Sequence, residues 1–145
     1  MTIIRASRGD ETLLAELAVK MWPYDSTEDL RKEFLELLES GEAACFIAYI
    51  DGNAAGFAQC GLRHDYVEGT GSSPVGYLEG IFVEKKYRNR GAAKALLAEC
   101  EKWAEGKGCT EFASDCELDN EDSLKFHLSM GFEEANRIIC FRKRL

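Results

Sequence analysis

Residues Tyr77 to Leu97 read YLEGIFVEKKYRNRGAAKALL. The mostly apolar run through Val83 reads as a strand, and Ala95, Leu96, Leu97, Cys100 and Trp103 recur at helical spacing beyond it. Between the two, the ten residues Lys85 to Lys94 hold Lys85, Lys86, Arg88, Arg90 and Lys94 with no acid, in a chain whose formal net charge is -8. A strand that feeds a basic, Gly-containing turn, which then opens a helix, aims free backbone N–H groups and the positive end of a helix dipole at one point. Such a point suits a phosphate or pyrophosphate; the bland alternative is a solvated basic loop before an ordinary helix.

The 145 residues, 46% hydrophobic and 30% charged, are sized for one globular domain, residues 1–145, around a single substantial core. No apolar run approaches the roughly 18 residues that span a bilayer. The N-terminus MTIIRASRGDE lacks a signal-peptide apolar region, so a cytoplasmic protein with no membrane partner is expected. Cys45, Cys60, Cys100, Cys109, Cys116 and Cys140 are scattered without a CxxC pair, which favours buried free thiols over disulfides or metal. With only His64 and His127 available, no zinc constellation assembles by spacing. The acidic balance argues against nucleic acid as a partner and leaves room for cationic ligands.

Outward from the central stretch, the chain alternates strands and helices. Thr2 to Ala6 reads as a short strand, followed by Leu13, Leu14, Leu17, Ala18 and Met21 at helical spacing up to Pro23. Ser26 can cap a second helix with the stripe Leu30, Phe34, Leu37 and Leu38, stopped by Gly41. Ala43 to Ile50 and Ala54 to Leu62 flank Asp51-Gly52-Asn53, a hairpin signal. A long polar loop, Arg63 to Pro74, precedes the strand Val75 to Val83. The helix from Ala92 to about Glu105, a strand Thr110 to Asp115, a helix from Asn120 or Asp122 through Met130, and a final strand Arg137 to Lys143 complete the order. Strands mixed with helices in this way imply an α/β (α+β mixed) protein, one mixed sheet covered by helices.

Arg88-Asn89-Arg90-Gly91-Ala92-Ala93 fits the pattern R/Q-x-x-G-x-G/A, and it resembles the acyl-CoA-binding signature of the GNAT N-acetyltransferase superfamily. A second motif, Asn120-x-x-Ser123-x-x-Phe126-His127-x-x-x-Gly131-Phe132, resembles that family's N-x-x-A-x-x-x-Y-x-x-x-G-F. Met21-Trp22-Pro23, Arg63-His64-Asp65-Tyr66-Val67, Ser72-Ser73-Pro74-Val75, Leu78-Glu79-Gly80-Ile81-Phe82-Val83 and Phe112-Ala113-Ser114-Asp115 are similar to one subgroup, the aminoglycoside 6'-N-acetyltransferases. The resemblance covers essentially the whole chain. It implies the GNAT fold, a central, largely antiparallel twisted sheet flanked by helices. It also implies acetyl-CoA as cosubstrate, no metal, a homodimer, and acetyl transfer to the 6'-amino group of aminoglycoside antibiotics by direct attack in a ternary complex. The cofactor would lie against Arg88, Asn89, Arg90, Gly91, Ala92, Ala93 and Asn120, with backbone of Ile81, Phe82 and Val83 along its pantetheine arm. A side chain at Gly91, or a bulky one at Ala93, would keep a diphosphate from the backbone donors. Transfer to a polyamine, a small metabolite or a protein N-terminus, or CoA binding without catalysis, are the rival readings.

Carboxylates stand where the acceptor would bind. Strand alternation puts Tyr77, Glu79, Ile81 and Val83 on one side and Leu78, Gly80 and Phe82 on the other. Glu79 thus interrupts an apolar face and needs a partner or a cleft. Gly80 beside it hints at a bulge, which would re-aim the carboxylate. A Glu salt-bridged at a strand edge is the plainer alternative. Asp115 ends its predicted strand near the crevice of an open sheet, or serves as an ordinary turn residue. Trp22 and Tyr66 offer flat surfaces suited to a sugar ring, or to core packing; the resemblance assigns both to substrate. Asp25 and Asn136 stand in the acceptor region where the subgroup carries His and Glu. His127 aligns with the family's Tyr general acid and can donate a proton near neutral pH, or merely pack. Cys116 beside Asp115 has no His placed next to it by sequence, so a covalent mechanism is disfavoured.

Overall fold

The computed structural model describes all of residues 1–145. Strands β1 (Thr2–Arg5), β2 (Ala43–Ile50), β3 (Asn53–Arg63), β4 (Val75–Val83) and β5 (Phe112–Ala113) form one sheet in sequence order. The first four are antiparallel neighbours, and β5 runs parallel to β4. Helices α1 (Glu11–Ala18) and α2 (Thr27–Glu39) cover one face of the sheet. Helix α3 (Ala92–Gly106) covers the other, where residues of α4 (Glu121–Ser129) also pack. The architecture is the mixed, largely antiparallel sheet flanked by helices that the sequence implies.

Alternation along β2 shows why the two layers hold. Ala44, Phe46 and Ala48 join Leu96, Leu97, Cys100 and Trp103 of α3 in one core. Cys45 and Ile47 face the other way, onto Leu14 and Leu17 of α1 and Leu30 and Phe34 of α2. Burial on both faces explains why β2 reads as a continuous apolar run. Ser26 caps α2 as expected, its Oγ accepting the Asp29 amide at 3.0 Å. Asp51 and Gly52, with φ of 52° and 76°, make the two-residue turn between β2 and β3. Cys45, Cys60, Cys100 and Cys109 are buried, and all six cysteines are free thiols. No helix is long and apolar enough to cross a membrane.

Three expectations need correction. The strand predicted over Thr110 to Asp115 is reduced to Phe112–Ala113, because pairing with β4 is limited to Gly76–Phe112 and Tyr77–Ala113. The final strand predicted over Arg137 to Lys143 does not form. With β5 two residues long, its edge offers almost no ladder, and Ile138, Ile139 and Phe141 stand 70%, 80% and 90% exposed. Finally, the face assignment within β4 is broken at Glu79. Gly80 pairs with Gln59 and Leu78 with Cys60, so Glu79 is the extra residue of a β-bulge. One unpaired residue inverts the parity beyond it. Leu78 therefore joins Ile81 and Val83 at the α3 core, while Tyr77 and Phe82 pack on the opposite side.

Candidate active site

The basic turn folds as a single 3-10 turn, Lys85–Tyr87, followed by an open stretch into α3. Asn89 and Gly91 adopt positive φ, 61° and 83°, which Asn and Gly tolerate better than other residues. The amides of Asn89, Arg90 and Gly91 donate to nothing within the chain. Helix geometry leaves those of Ala92, Ala93 and Lys94 free as well, since Ala95 makes the first bond of the helix, to the Gly91 carbonyl at 3.0 Å. Gly91 caps α3 without a side-chain bond, and the space beside it is open. The turn therefore offers an exposed row of donors at a helix N-terminus, the arrangement that binds phosphates. Its arginines are partly spent on holding it. Arg88 folds back so that its Nε donates to the Val83 carbonyl at 2.9 Å, and Arg90 pairs with Asp51 of the β2–β3 turn at 3.1 Å. The Arg90 bond holds the Asp51 carboxyl below its usual range. Lys85, Lys86 and Lys94 remain exposed.

Beyond Tyr77 and Ala113 the two parallel strands part, and the edge of β4 from Glu79 to Val83 has no strand beside it. This gap brings Ile81, Phe82 and Val83 to the same edge as the donor turn. Asn120 caps α4, its Oδ1 accepting the Ser123 amide at 3.1 Å, and its Nδ2 makes no bond within the chain.

On the α1–α2 face of the gap four charged and polar side chains are linked in series. The Arg63 guanidinium forms a fork on Glu79, with Nε and Nη2 donating to Oε1 at 3.1 and 3.0 Å and Nη2 to Oε2 at 3.0 Å. The same guanidinium lies over the Tyr77 ring, 3.5 Å from its centroid. Tyr77 in turn donates its hydroxyl hydrogen to Asp115. Burial first, and then the Asp115 carboxylate, raise the Tyr77 phenol well above its ordinary value, so it stays a donor. The Arg63 and Glu79 side chains are 43% and 32% exposed, so the pair itself contributes on the order of 1 kcal/mol or less. Trp22 lies against this site from α1's end: a Cβ on Gly80 would meet its ring at 2.8 Å. Glycine is needed there for the indole to approach the strand at the bulge. The edge-on contact of Trp22 with Phe57, centroids 6.2 Å apart, fixes the ring from behind.

Tyr66 is 75% exposed on the loop between β3 and β4. Val67 anchors this loop on Val75 and Tyr77, and Asn136 donates to Glu68 at 3.0 Å. The loop bearing Tyr66 and the C-terminal segment bearing Asn136 are thus brought together, while Asp25 sits exposed in the turn before α2. His127 lies on the opposite side of the sheet from the carboxylates. Its Nδ1 is 2.7 Å from the Ser123 carbonyl and its Nε2 2.8 Å from Ser114 Oγ, which reaches the Leu78 carbonyl at 3.3 Å. The imidazole also packs on Phe126 and Phe132. Cys116 is exposed and has no imidazole bonded to it.

Sequence reasoning missed Arg63 and Tyr77. The need of Glu79 for a cationic partner was the available signal. Finding that partner required the register, in which Gly61 stands opposite Tyr77 and Arg63 two residues further along the same face. Glycine opposite the ring leaves its face free for the guanidinium.

The chain is similar to known proteins in sequence and fold. The profile of the Acetyltransferase (GNAT) family matches residues 12–132. The aminoglycoside N(6')-acetyltransferase type 1 of Salmonella typhimurium strain LT2 is 46% identical over 128 residues, 88% of this chain and 88% of its own. That of Stenotrophomonas maltophilia is 40% identical over 145 residues, 99% of this chain and 94% of its own. The structure of AAC(6')-Iy in complex with the bisubstrate analogue CoA-S-monomethyl-acetylneamine superposes with a TM-score of 0.94 at 42% identity, covering 99% of this chain and 98% of that one. The apo 6'-N-acetyltransferase AAC(6')-IG from Acinetobacter haemolyticus gives 0.93 at 39% identity, over 100% and 99% of the two chains. Since the family match over residues 12–132 takes in strands β2 to β5 and the donor turn, the chain belongs to the Acetyltransferase (GNAT) family.

Proposed function

We propose that the enzyme transfers the acetyl group of acetyl-CoA to the 6'-amino group of aminoglycosides and so confers resistance to them, with the residues around the β4–β5 gap in the roles that follow. The observation that carries the reading is the separation of charge around that gap. A row of open amides and exposed lysines lies at the start of α3, and Glu79 and Asp115 lie on the α1–α2 face. The first suits an anionic donor and the second a polycationic acceptor. Close relatives named aminoglycoside N(6')-acetyltransferases, and a neighbour bound to a CoA-acetylneamine analogue, support the same pair of substrates.

The diphosphate of acetyl-CoA binds the amides from Asn89 to Lys94, its pantetheine arm lies along Ile81, Phe82 and Val83, and Asn120 contacts it through Nδ2. The acceptor ring stacks on Trp22 and Tyr66, with Asp25 and Asn136 at its rim. Glu79 and Asp115 hold the ammonium, and one of them, directly or through water, takes its proton. The freed lone pair attacks the thioester carbon while backbone N–H groups near Val83 polarise the carbonyl. The C–N bond forms, the acylated nitrogen gives up its remaining extra proton to water, the C–S bond breaks, and the thiolate takes up a proton. His127 supplies that proton through Ser114, because its own Nε2 faces the serine hydroxyl. A second copy of the chain completes the enzyme as a homodimer, a reading supported by the exposed apolar residues Ile138, Ile139 and Phe141.

The test is thiol release from acetyl-CoA with kanamycin, tobramycin, spermidine and short peptides as acceptors. Turnover concentrated on the two aminoglycosides is expected. Silence toward both, with turnover of spermidine or peptides, would reject the reading.

A further inference from the structure

Resting on the reading that Glu79 receives a cationic acceptor, we propose that Arg63 is an internal stand-in for the acceptor's ammonium, released from Glu79 when the acceptor binds. Three observations lead there. The guanidinium makes all its hydrogen bonds to the one carboxylate and fills both of that group's oxygens, at 3.0 to 3.1 Å. It lies between two anions, since the Tyr77 ring beneath it carries its hydroxyl to Asp115. Its way out to solvent is also open: Arg63 is the last residue of β3, next to the loop that bears Tyr66, and its side chain is 43% exposed.

A carboxylate held by a two-pronged fork has few acceptor sites left for a second cation. Binding an ammonium at Glu79 therefore exchanges one cation for another, and the gain is the difference between the two. A monoamine meets a tethered competitor with a better geometry than its own. A polycation loses the same amount once and recovers it at Asp115 and at Asp25 on the rim. Arg63 is accordingly a specificity-determining residue, which biases the site toward acceptors with several amines. The Tyr77 face it vacates becomes apolar surface for the acceptor's ring.

The experiment measures kanamycin binding by calorimetry in the presence of CoA, which lacks the acetyl group and so permits no turnover. Arg63→Gln, Arg63→Lys, Glu79→Gln and the double variant Arg63→Gln/Glu79→Gln are compared with the parent, with the Kd for CoA and the Tm of each as controls. Arg63→Gln is expected to tighten kanamycin roughly three- to tenfold and to lower its KM without lowering kcat. Arg63→Lys, a point charge without the fork, is expected to tighten it less. In the Glu79→Gln background the Arg63 change is expected to have no effect on kanamycin. The Kd for CoA should stay constant throughout. Weaker or unchanged kanamycin binding in folded Arg63→Gln would overturn the proposal. So would weakening that Arg63→Lys restores, which would make Arg63 a support for Glu79 instead. Should Arg63→Gln not fold, tightening in Arg63→Lys decides for the proposal and weakening against it. If the parent itself binds no kanamycin, the reading of the acceptor fails, and the inference with it, before any Arg63 variant is compared.

Discussion

Glu79 is an extra residue in its strand, and that single insertion sets the geometry of the proposed acceptor site. In regular pleating its carboxylate would have shared a face with Ile81 and Val83, which pack at the α3 core. In the bulge it turns to the side where Trp22 and Arg63 lie. Glu79→Gln preserves the shape and removes the charge. The KM for an aminoglycoside is expected to rise roughly 10- to 100-fold, the worth of a hydrogen bond to a charged group, while the Kd for CoA changes less than about twofold. Equal losses in both would count against the assignment. Gly80→Ala tests the neighbouring packing. Its methyl would meet the Trp22 ring at 2.8 Å and the Met21 methyl at 2.9 Å, which costs about 1–3 kcal/mol of overpacking. Thermal denaturation should show a lower Tm, by roughly 3–10 °C, and an unchanged Tm would show that the indole is not held there. Glu79, Asp115 and Trp22 were legible because each residue type is conspicuous in its place: a carboxylate in an apolar strand, an acid at a strand end, an indole before a proline. Arg63 and Tyr77 were not, since an arginine ending a strand and a tyrosine near the start of one look ordinary until the register sets them side by side.

At the scale of elements, the parting of β4 and β5 decides what can bind. Two paired residues hold the strands together, and the donor turn opens onto the gap that follows. Helix α3, its glycine cap and the bulge at Glu79 were readable from spacing and residue type. The shortness of β5 was not, because β-branched and aromatic content reports where a strand is tolerated and says nothing of where its partner diverges. The loop bearing Tyr66 is held from below by Glu111, which accepts the Gly71 amide at 2.9 Å and a hydrogen bond from the Ser72 hydroxyl. The Ser72 bond first, and then the Gly71 amide, hold the Glu111 carboxyl below its ordinary value of 4.5. Its folded pKa being depressed, the loop's anchorage is fully present above that ordinary value and is lost as pH falls through the lower folded one. Amide-exchange protection at Gly71 is expected to be retained at about pH 6 and to fall once the pH is taken below the depressed folded value, with Glu111→Gln abolishing the difference. Protection that is the same at both pH values would contradict the anchorage.

Over the whole molecule, the charge pattern of the chain has a spatial logic. In the proposed function, the basic turn that breaks an otherwise acidic sequence meets the donor, and acids on the far face of the same sheet meet the acceptor. The C-terminal segment, predicted as a strand, carries Ile138, Ile139 and Phe141 into solvent in the single chain. In the proposed homodimer, a second copy covering them would give the segment the neighbour that β5 does not. Sedimentation velocity is expected to find a dimer for the full chain and a monomer when the chain ends at Ala135. A monomeric full chain, or a dimer that survives the truncation, would remove that surface from the interface. The central claim, that the acid-lined face presents the 6'-amine of an aminoglycoside to acetyl-CoA, is tested most directly by two acceptors that differ only at that position. With neomycin, which carries a 6'-amine, and paromomycin, which carries a 6'-hydroxyl, thiol release and NMR of the products are expected to show acetylation of neomycin at the 6' nitrogen and none of paromomycin. Comparable turnover of the two, or acetyl found on another nitrogen of neomycin, would contradict it.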